Sequence, residues 1–358
     1  MFKIAIINQT KISIRGGAEN WIVKIAESLY KLGIETDVIC PYDKEIEDNR
    51  LEFINEITYR SKLYDLLKRI SLYNFFYIFV HPNNKINIES YDLVYTISFY
   101  HSLLLLKTNK KIVIGTHDFF ITNSKFGIDT LIFPMKLLTK FISHKKNVYI
   151  HSLSSIQSNF LADDHSKIYE IGNNFMAKQI VPVYNENFTI CFIGKLQKRK
   201  GADTLIKLAY LLSNYKDIHL YIIGRIEKDY SKFICNLGYG NIKFVGYASE
   251  ETKNEILSKS HLMLMLSKRE SFPIVAVEGL SAGLSIITTW KPLTIIQKDY
   301  PVFYSEDNPE KIIKHIIRIK EEWLQNKEVF HDKMIKRARN FYDESQTEIV
   351  KLINDLIN

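Results

Sequence analysis

Three cysteines in 358 residues, Cys40, Cys191 and Cys235, stand far apart with no CxxC or Cys/His cluster. So sparse a set sets aside a disulfide scaffold and a zinc framework, and fits reduced, mostly buried thiols in a cytoplasmic protein. No apolar run approaches the ~20 residues a spanning helix needs, and the longest, Ser71–Val80, is about half that. The N-terminal Met-Phe-Lys-Ile-Ala-Ile-Ile-Asn is too short in its apolar part for a secretory signal and reads as a first strand. The chain is therefore expected not to cross a membrane. Net charge is +8, yet the lysines are spread rather than blocked, so nucleic acid is not signalled. A phosphate-bearing small molecule and an anionic membrane surface fit that charge equally well. The GxGxxG fingerprint is missing, which sets a nicotinamide site aside although Asp37 lies near the end of the second expected strand. Missing too is an Asp-x-Asp pair at a strand end, of the kind that holds a divalent cation. Asp163-Asp164 lies in a polar turn and Glu45-Ile-Glu47-Asp48 in a charged loop.

What is there is ordinary in composition, 46% apolar and 25% charged, and long enough for two domains of roughly 150–200 residues. Expected strands at 2–8 and 34–40 flank a helix over Ala18–Leu32, with Trp21, Ile22, Ile25, Leu29 and Leu32 on one face and Gly33 as its stop. That βαβ opening predicts a parallel, doubly wound sheet. Arg15-Gly16-Gly17-Ala-Glu19 opens the helix; its glycines either bring backbone close to a ligand or simply turn the chain. Further strands are expected at Leu93–Ile97, Lys111–Ile114, Asn147–Ser152 and Ile168–Ile171, with a helix over Ser154–Leu161. Thr116-His117-Asp118 ends one of these strands, where open α/β sheets place ligands; a purely structural His–Asp pair is the alternative. Residues 60–80 and 130–146 mix lysine, aromatic and aliphatic side chains. They read either as core helices with a solvated basic face or as interfacial helices on anionic lipid. Polar, turn-rich stretches at Gly172–Asn174 and Pro182–Asn187 mark the connector.

The second half opens with a strand, Phe188–Gly194, then Lys195-Leu-Gln-Lys-Arg-Lys200-Gly201, then a helix from Ala202. Strand, glycine, basic loop and helix start make a phosphate-binding arrangement, unless the loop is a surface turn. Strands follow at Leu220–Gly224, Ile242–Gly246 and His261–Ser267, with Tyr247 and a helix over Glu250–Lys259 between the last two. Next comes Glu270, then a short helix for which Pro273 suits the first turn and Gly283 the stop. Glu278 rides that almost wholly apolar helix, either solvated on its outer face or buried at a cost that something must offset by hydrogen bonding. The N–H groups at the helix start attract an anion. Helices over Pro309–Ile319 and Phe330–Ile357 close the chain.

Glu270-Ser-Phe-Pro-Ile-Val-Ala-Val-Glu278, two acids flanking seven residues with a helix start between them, resembles the donor-site motif of the retaining GT-B glycosyltransferases of glycosyltransferase family 4 (glycosyl transferases group 1). Gly16-Gly17, His117, Gly194 to Gly201 and Gly246 stand in that family's order along nearly the whole chain. The resemblance implies an α/β GT-B fold, two Rossmann-like parallel-sheet domains facing each other across a cleft. Residues 1–175 would be the acceptor domain, with the terminal helix 336–358 packing back on it, and 188–335 the donor domain. It implies transfer of a hexose-type sugar from a nucleotide donor such as a UDP- or GDP-sugar to a hydroxyl of a glycan or lipid-linked acceptor, in bacterial surface polysaccharide or glycoconjugate synthesis. No glycosidase-type carboxylate pair is visible, so the departing phosphate takes the acceptor proton.

By the same resemblance His117 and Glu270 touch the donor sugar and Glu278 the ribose. Lys195, Lys200 and the amides of Ile274 and Val275 hold the diphosphate, Gly16 and Gly17 lie over it, and backbone at Gly246 and Tyr247 meets the base. No cofactor or metal is implied; the localisation is cytoplasmic, or peripheral on the inner face of the plasma membrane. Three departures stand out. Lys195 replaces an Arg and loses its bidentate fork. Arg225-Ile-Glu-Lys replaces a glycine-rich strand end, and Trp290-Lys-Pro292 replaces a Gly-Gly turn. The last two bear on the donor's identity more than on the fold. The competing classes are a non-catalytic nucleotide-sugar sensor and a nucleotide-sugar epimerase or hydrolase on the same fold.

Overall fold

Parallel strands covered on both faces read as unbroken apolar runs, and the chain folds around two sets of them. The computed structural model describes residues 2–8, 17–41, 52–59, 87–97, 108–117, 121–122, 145–161, 167–231 and 240–358. Its strands are β1 Lys3–Ile7, β2 Glu35–Pro41, β3 Asn55–Tyr59, β4 Leu93–Thr96, β5 Lys111–Gly115, β6 Ile121–Thr122, β7 Val148–Ser152, β8 Ile168–Glu170, β9 Phe188–Ile193, β10 Ile218–Ile223, β11 Ile242–Gly246, β12 Leu262–Met265, β13 Arg269–Glu270, β14 Ser285–Thr288 and β15 Val302–Tyr304. The helices are α1 Gly17–Tyr30, α2 Ser155–Leu161, α3 Ala202–Leu212, α4 Glu250–Lys259, α5 Ile274–Ser281, α6 Leu293–Ile296, α7 Pro309–Gln325 and α8 Lys327–Ile357.

One sheet runs β3-β2-β1-β4-β5-β7-β8 and the other β11-β10-β9-β12-β14-β15, and every pairing within them is parallel. In each sheet the order reverses at a central strand, beside β1 in the first and β9 in the second. The carboxyl edge at such a switch point is where open α/β sheets bind ligands. The chain divides into two units. The first is Met1–Phe120, Asp129–Asn173 and Glu348–Asn358; the second is Ile121–Ile128 and Asn174–Thr347. The division falls inside α8, which runs unbroken, so its last turns group with the first unit. There Lys111 Nζ donates to the end carbonyls of Asp355 and Leu356, at 3.0 and 3.2 Å.

Several expectations need correction. Leu32 lies past the end of α1 and is 60% exposed, because the helix stops at Tyr30 and turns through Gly33. Pro273 caps α5 from outside rather than sitting in its first turn. Strands β3 and β15 were not expected: both are sheet edges with part of their side chains in solvent, β3 is mostly polar, and β15 is only three residues long. Ser285–Thr288, where no strand was expected, is a fully buried strand. Cys40 and Cys191 are buried thiols, while Cys235 lies outside the described residues. Among the described residues no helix is long and apolar enough to cross a membrane. Residues 60–80 and 130–144 lie outside the described set, as do Asp118 and Gly16.

Candidate functional site

At the carboxyl end of β9 the chain passes through Gly194 and Lys195 into a single 3-10 turn, Lys198–Lys200. Gly201 follows with φ of 78°, and a Cβ there would lie 2.1 Å from the carbonyl oxygen of Leu266, just past β12. Only glycine meets both demands. The same approach lets the Lys268 N–H donate to the Arg199 carbonyl at 2.9 Å. The basic loop is thereby fastened to the segment that carries Glu270.

Glu270 is the second residue of β13, a two-residue strand paired antiparallel with Ile121 and Thr122. It is only 6% exposed. Lys200 Nζ hydrogen-bonds its Oε1, and Arg199 Nη1 lies 3.5 Å from Oε2 while donating to the Arg269 carbonyl at 3.2 Å. Among the described residues, two cations thus meet on this one carboxylate. Behind this pair, fully buried Trp290 donates from Nε1 to the Ile121 carbonyl at 2.7 Å. The Trp290-Lys-Pro292 departure is thus a core anchor that holds β6 in place for Glu270.

Four residues on, α5 begins with no side-chain cap, and the N–H groups of Ile274 and Val275 meet no acceptor among the described residues. Their partial positive charge faces the same way as the helix dipole's positive end. Glu278, one turn later, is not on a solvated outer face. Its side chain is 14% exposed and accepts a hydrogen bond from Lys253 Nζ at 2.5 Å. Lys253, on α4, also donates to Glu250 at 2.8 Å, and Lys178 pairs with Glu250 from the other side. Burial works against the Lys253 charge, but Glu278 and Glu250 outweigh it and hold the ammonium above its ordinary pKa.

Lys195 is placed elsewhere, in a half-exposed pair with Glu227 at 2.8 Å. At the carboxyl ends of β10 and β11, Gly246 takes φ of 78° and Tyr247 stands 73% exposed, with the Arg225 guanidinium 4.8 Å from its ring centroid. The departure at Arg225 therefore builds an open cation–π pair beside the position that the resemblance gives to the base.

In the first unit Gly17 begins α1, and the buried Glu19 accepts from Asn8 Nδ2 at 3.5 Å. His117 sits two residues beyond β5, with Trp21 edge-on at 4.6 Å between ring centroids and the Tyr95 hydroxyl 3.0 Å from its Nε2. Among the described residues its side chain meets Tyr95 of β4 and Trp21 of α1; Asp118, the carboxylate considered for it, lies outside them.

The structure therefore gathers Lys200 with Glu270, and Glu278 with Lys253, while Lys195 goes to Glu227. Sequence reasoning missed Arg199, whose one signal was membership of the basic loop, and Lys253, whose i,i+3 spacing from Glu250 gave no hint of Glu278. No group of three or more His, Cys, Asp or Glu among the described residues is placed to hold a metal ion.

Residues 175–341 match the family model described as Glycosyl transferases group 1. Among curated proteins, an uncharacterised glycosyltransferase of Methanocaldococcus jannaschii is 24% identical over 152 residues, 41% of this chain and 39% of that one. The phosphatidyl-myo-inositol mannosyltransferase of Mycolicibacterium smegmatis is 27% identical over 107 residues, 29% of this chain and 28% of that one. The matched stretches thus span about two fifths or less of these relatives' length. Among solved structures, sucrose-phosphate synthase of Thermosynechococcus elongatus superposes with a TM-score of 0.70 at 14% identity, covering 100% of this chain and 99% of that one. HepE of Anabaena, in complex with UDP and glucose, gives 0.67 at 15%, covering 99% and 100%. The fold is GT-B, with two parallel-sheet α/β units, and the stretch that matches the group 1 glycosyltransferase model lies in the second.

Proposed function

We propose that this chain moves a hexose-type sugar from a nucleoside diphosphate donor to a hydroxyl of a glycan or lipid-linked acceptor, with retention at the anomeric carbon. The observation that carries this reading is the Arg199–Lys200–Glu270 cluster, in which two cations meet one carboxylate four residues ahead of the uncapped start of α5. An arriving diphosphate gives Lys200 and Arg199 a stronger anion than Glu270 and gives the Ile274 and Val275 amides their missing acceptor. Glu270, released from Lys200, is then free to receive sugar hydroxyls. Glu278, held by Lys253, turns its remaining lone pairs to the ribose, and the exposed Tyr247 with Arg225 offers a face to the base. Two comparisons support the choice of substrates: HepE was solved with UDP and glucose, and the Mycolicibacterium smegmatis relative is named for a lipid-linked acceptor.

In the transfer, the bond from the sugar's anomeric carbon to the diphosphate oxygen breaks and the acceptor oxygen bonds the same face. The acceptor's proton passes to the departing diphosphate. The charge that grows on that diphosphate is met by preorganised donors, Lys200, Arg199 and the helix-start amides, which serve here as a metal ion does in other enzymes. Transfer should therefore survive excess EDTA and yield a product of unchanged anomeric configuration, read by proton NMR of the anomeric coupling. Activity that vanishes with chelator and returns with Mn²⁺ would overturn the lysine clamp, and donor consumed with no acceptor product would make the protein a hydrolase.

Glu278→Gln should weaken a matching nucleoside diphosphate roughly 10–100-fold, the loss of charge-assisted hydrogen bonds of ~1.5–3 kcal/mol. Lys195→Ala should cost about fivefold or less, because Lys195 is half-exposed and already engaged by Glu227. Calorimetry with UDP and GDP checks both; equal losses at the two positions would contradict the ranking.

A further inference from the structure

Tyr95 on β4, His117 just past the end of β5 and His151 on β7 meet at the carboxyl edge of three adjacent strands of the first sheet. Their hydrogen bonds have a forced direction. The Ile171 carbonyl can only accept, so His151 Nε2, 2.9 Å away, carries the proton. Burial pulls the His151 pKa down to about 4, so the ring is neutral at neutral pH and its Nδ1 is bare. The Tyr95 hydroxyl, 2.6 Å from that nitrogen, gives it its single proton. Burial keeps Tyr95 protonated, with a pKa well above its ordinary value. The phenolic oxygen is left to accept from His117 Nε2 at 3.0 Å. Burial, with His151 adding to it, holds His117 neutral as well.

The proton of His117 therefore sits on Nε2 and its lone pair on Nδ1. The hydrogen bond to Tyr95 is the one its side chain makes among the described residues, and His117 keeps part of its surface exposed. The packing is fitted to this arrangement. A Cβ at Gly115 would lie 2.5 Å from the Tyr95 hydroxyl and 2.8 Å from His117 Cδ2, and the Trp21 ring closes the other side at 5.0 Å from Tyr95.

We propose that Tyr95 and His151 are positioning residues that lock His117 with a bare Nδ1, so that the site takes a substrate group able to donate a hydrogen bond. A sugar or polyol hydroxyl meets that demand, and the same position methylated or oxidised to a carbonyl does not. The lock stands on these hydrogen bonds and on the burial that keeps both rings neutral; its use on a sugar hydroxyl rests on the function proposed above.

The test is long-range proton–nitrogen NMR of the full chain labelled with ¹⁵N-histidine, read from about pH 8 to about pH 5.5, the range in which an ordinary histidine titrates. His117 and His151 should each show one tautomer, protonated on Nε2, that does not titrate there. Tyr95→Phe keeps the ring and removes the hydroxyl, and should leave His117 in a mixture of tautomers. With a nucleotide sugar that the wild type turns over, Tyr95→Phe should lower kcat/KM by about three- to tenfold. His117→Asn, whose amide oxygen reaches the Nδ1 position, should retain more activity than His117→Gln, which places its polar atoms where Nε2 was. A proton on Nδ1, titration within that range, or an unchanged tautomer in Tyr95→Phe would overturn the lock. Full kcat/KM in Tyr95→Phe would overturn its use on substrate. Should the wild type turn over no nucleotide sugar, the NMR arm still decides the lock and only the functional reading falls.

Discussion

Replacing Lys200 with alanine should cripple transfer and also loosen the second unit. The ammonium does two jobs. Toward a ligand it contributes a charge-assisted hydrogen bond of ~1.5–3 kcal/mol, so a nucleoside diphosphate should bind roughly 10–100-fold more weakly. Within the protein it neutralises Glu270, whose side chain is 8% exposed. Breaking a buried pair from one side costs ~3–5 kcal/mol, because the remaining charge is stranded. Arg199, with Nη1 at 3.5 Å, is too long a contact to replace it in full. Lys200→Ala should therefore unfold at lower denaturant, and added Mg²⁺ or Mn²⁺ should restore neither stability nor transfer. The pair Lys200→Met with Glu270→Gln separates the two jobs: it should recover most of the stability and none of the binding. If Lys200→Ala binds UDP and GDP like wild type, the clamp is misassigned.

Acidification should destabilise both units through histidines that the fold keeps neutral. His151 in the first unit and His261 in the second are each pulled by burial from 6.5 to about 4, with His331 and Lys327 adding to the effect on His261. His261 accepts from the Thr189 N–H at 3.1 Å and stacks on Phe188, so a second ring proton has no place to go. Because the folded pKa lies below the unfolded one, the unfolded chain binds protons in this window that the folded chain refuses. The contribution of each is whole above about pH 6.5, falls as pH drops, and is gone by about pH 4. Each imidazole accounts for roughly 3 kcal/mol across that range, and His117 acts in the same direction. Above about pH 5 most carboxylates stay ionised, so urea unfolding between about pH 7 and pH 5 reads the histidines. It should lose about 1 kcal/mol per histidine per pH unit once below about pH 6.5. A flat profile would mean that these rings carry a proton in the folded protein.

Much of this site was legible because its parts are local in sequence. The spacing of Glu270 and Glu278, the helix start between them, the basic loop after β9 and the apolar runs of the central strands are all set by residues a few positions apart. What escaped lies in pairings between distant segments. Lys253 reaches Glu278 across 25 positions and Lys200 reaches Glu270 across 70. Nothing in the helical spacing of α4 tells which way Lys253 leans. His117 carried a strand-end signal, but its neighbours Tyr95 and His151 looked like ordinary core residues of their own strands. Trp290 read as a broken motif and proved to be the anchor of β6. Edge strands β3 and β15 escaped for a local reason: β3 is mostly polar and β15 only three residues long, so neither shows the longer apolar run of the central strands.

Hydrogen–deuterium exchange of the full chain with saturating UDP and with saturating GDP tests the nucleotide clamp without an acceptor or a known sugar. At least one of the two should slow exchange together at residues 194–201, 246–253 and 270–278, the basic loop, the Tyr247 segment and the start of α5, and Lys200→Ala should abolish the protection. Unchanged exchange in all three segments with both nucleotides, or protection confined to other segments, would contradict it.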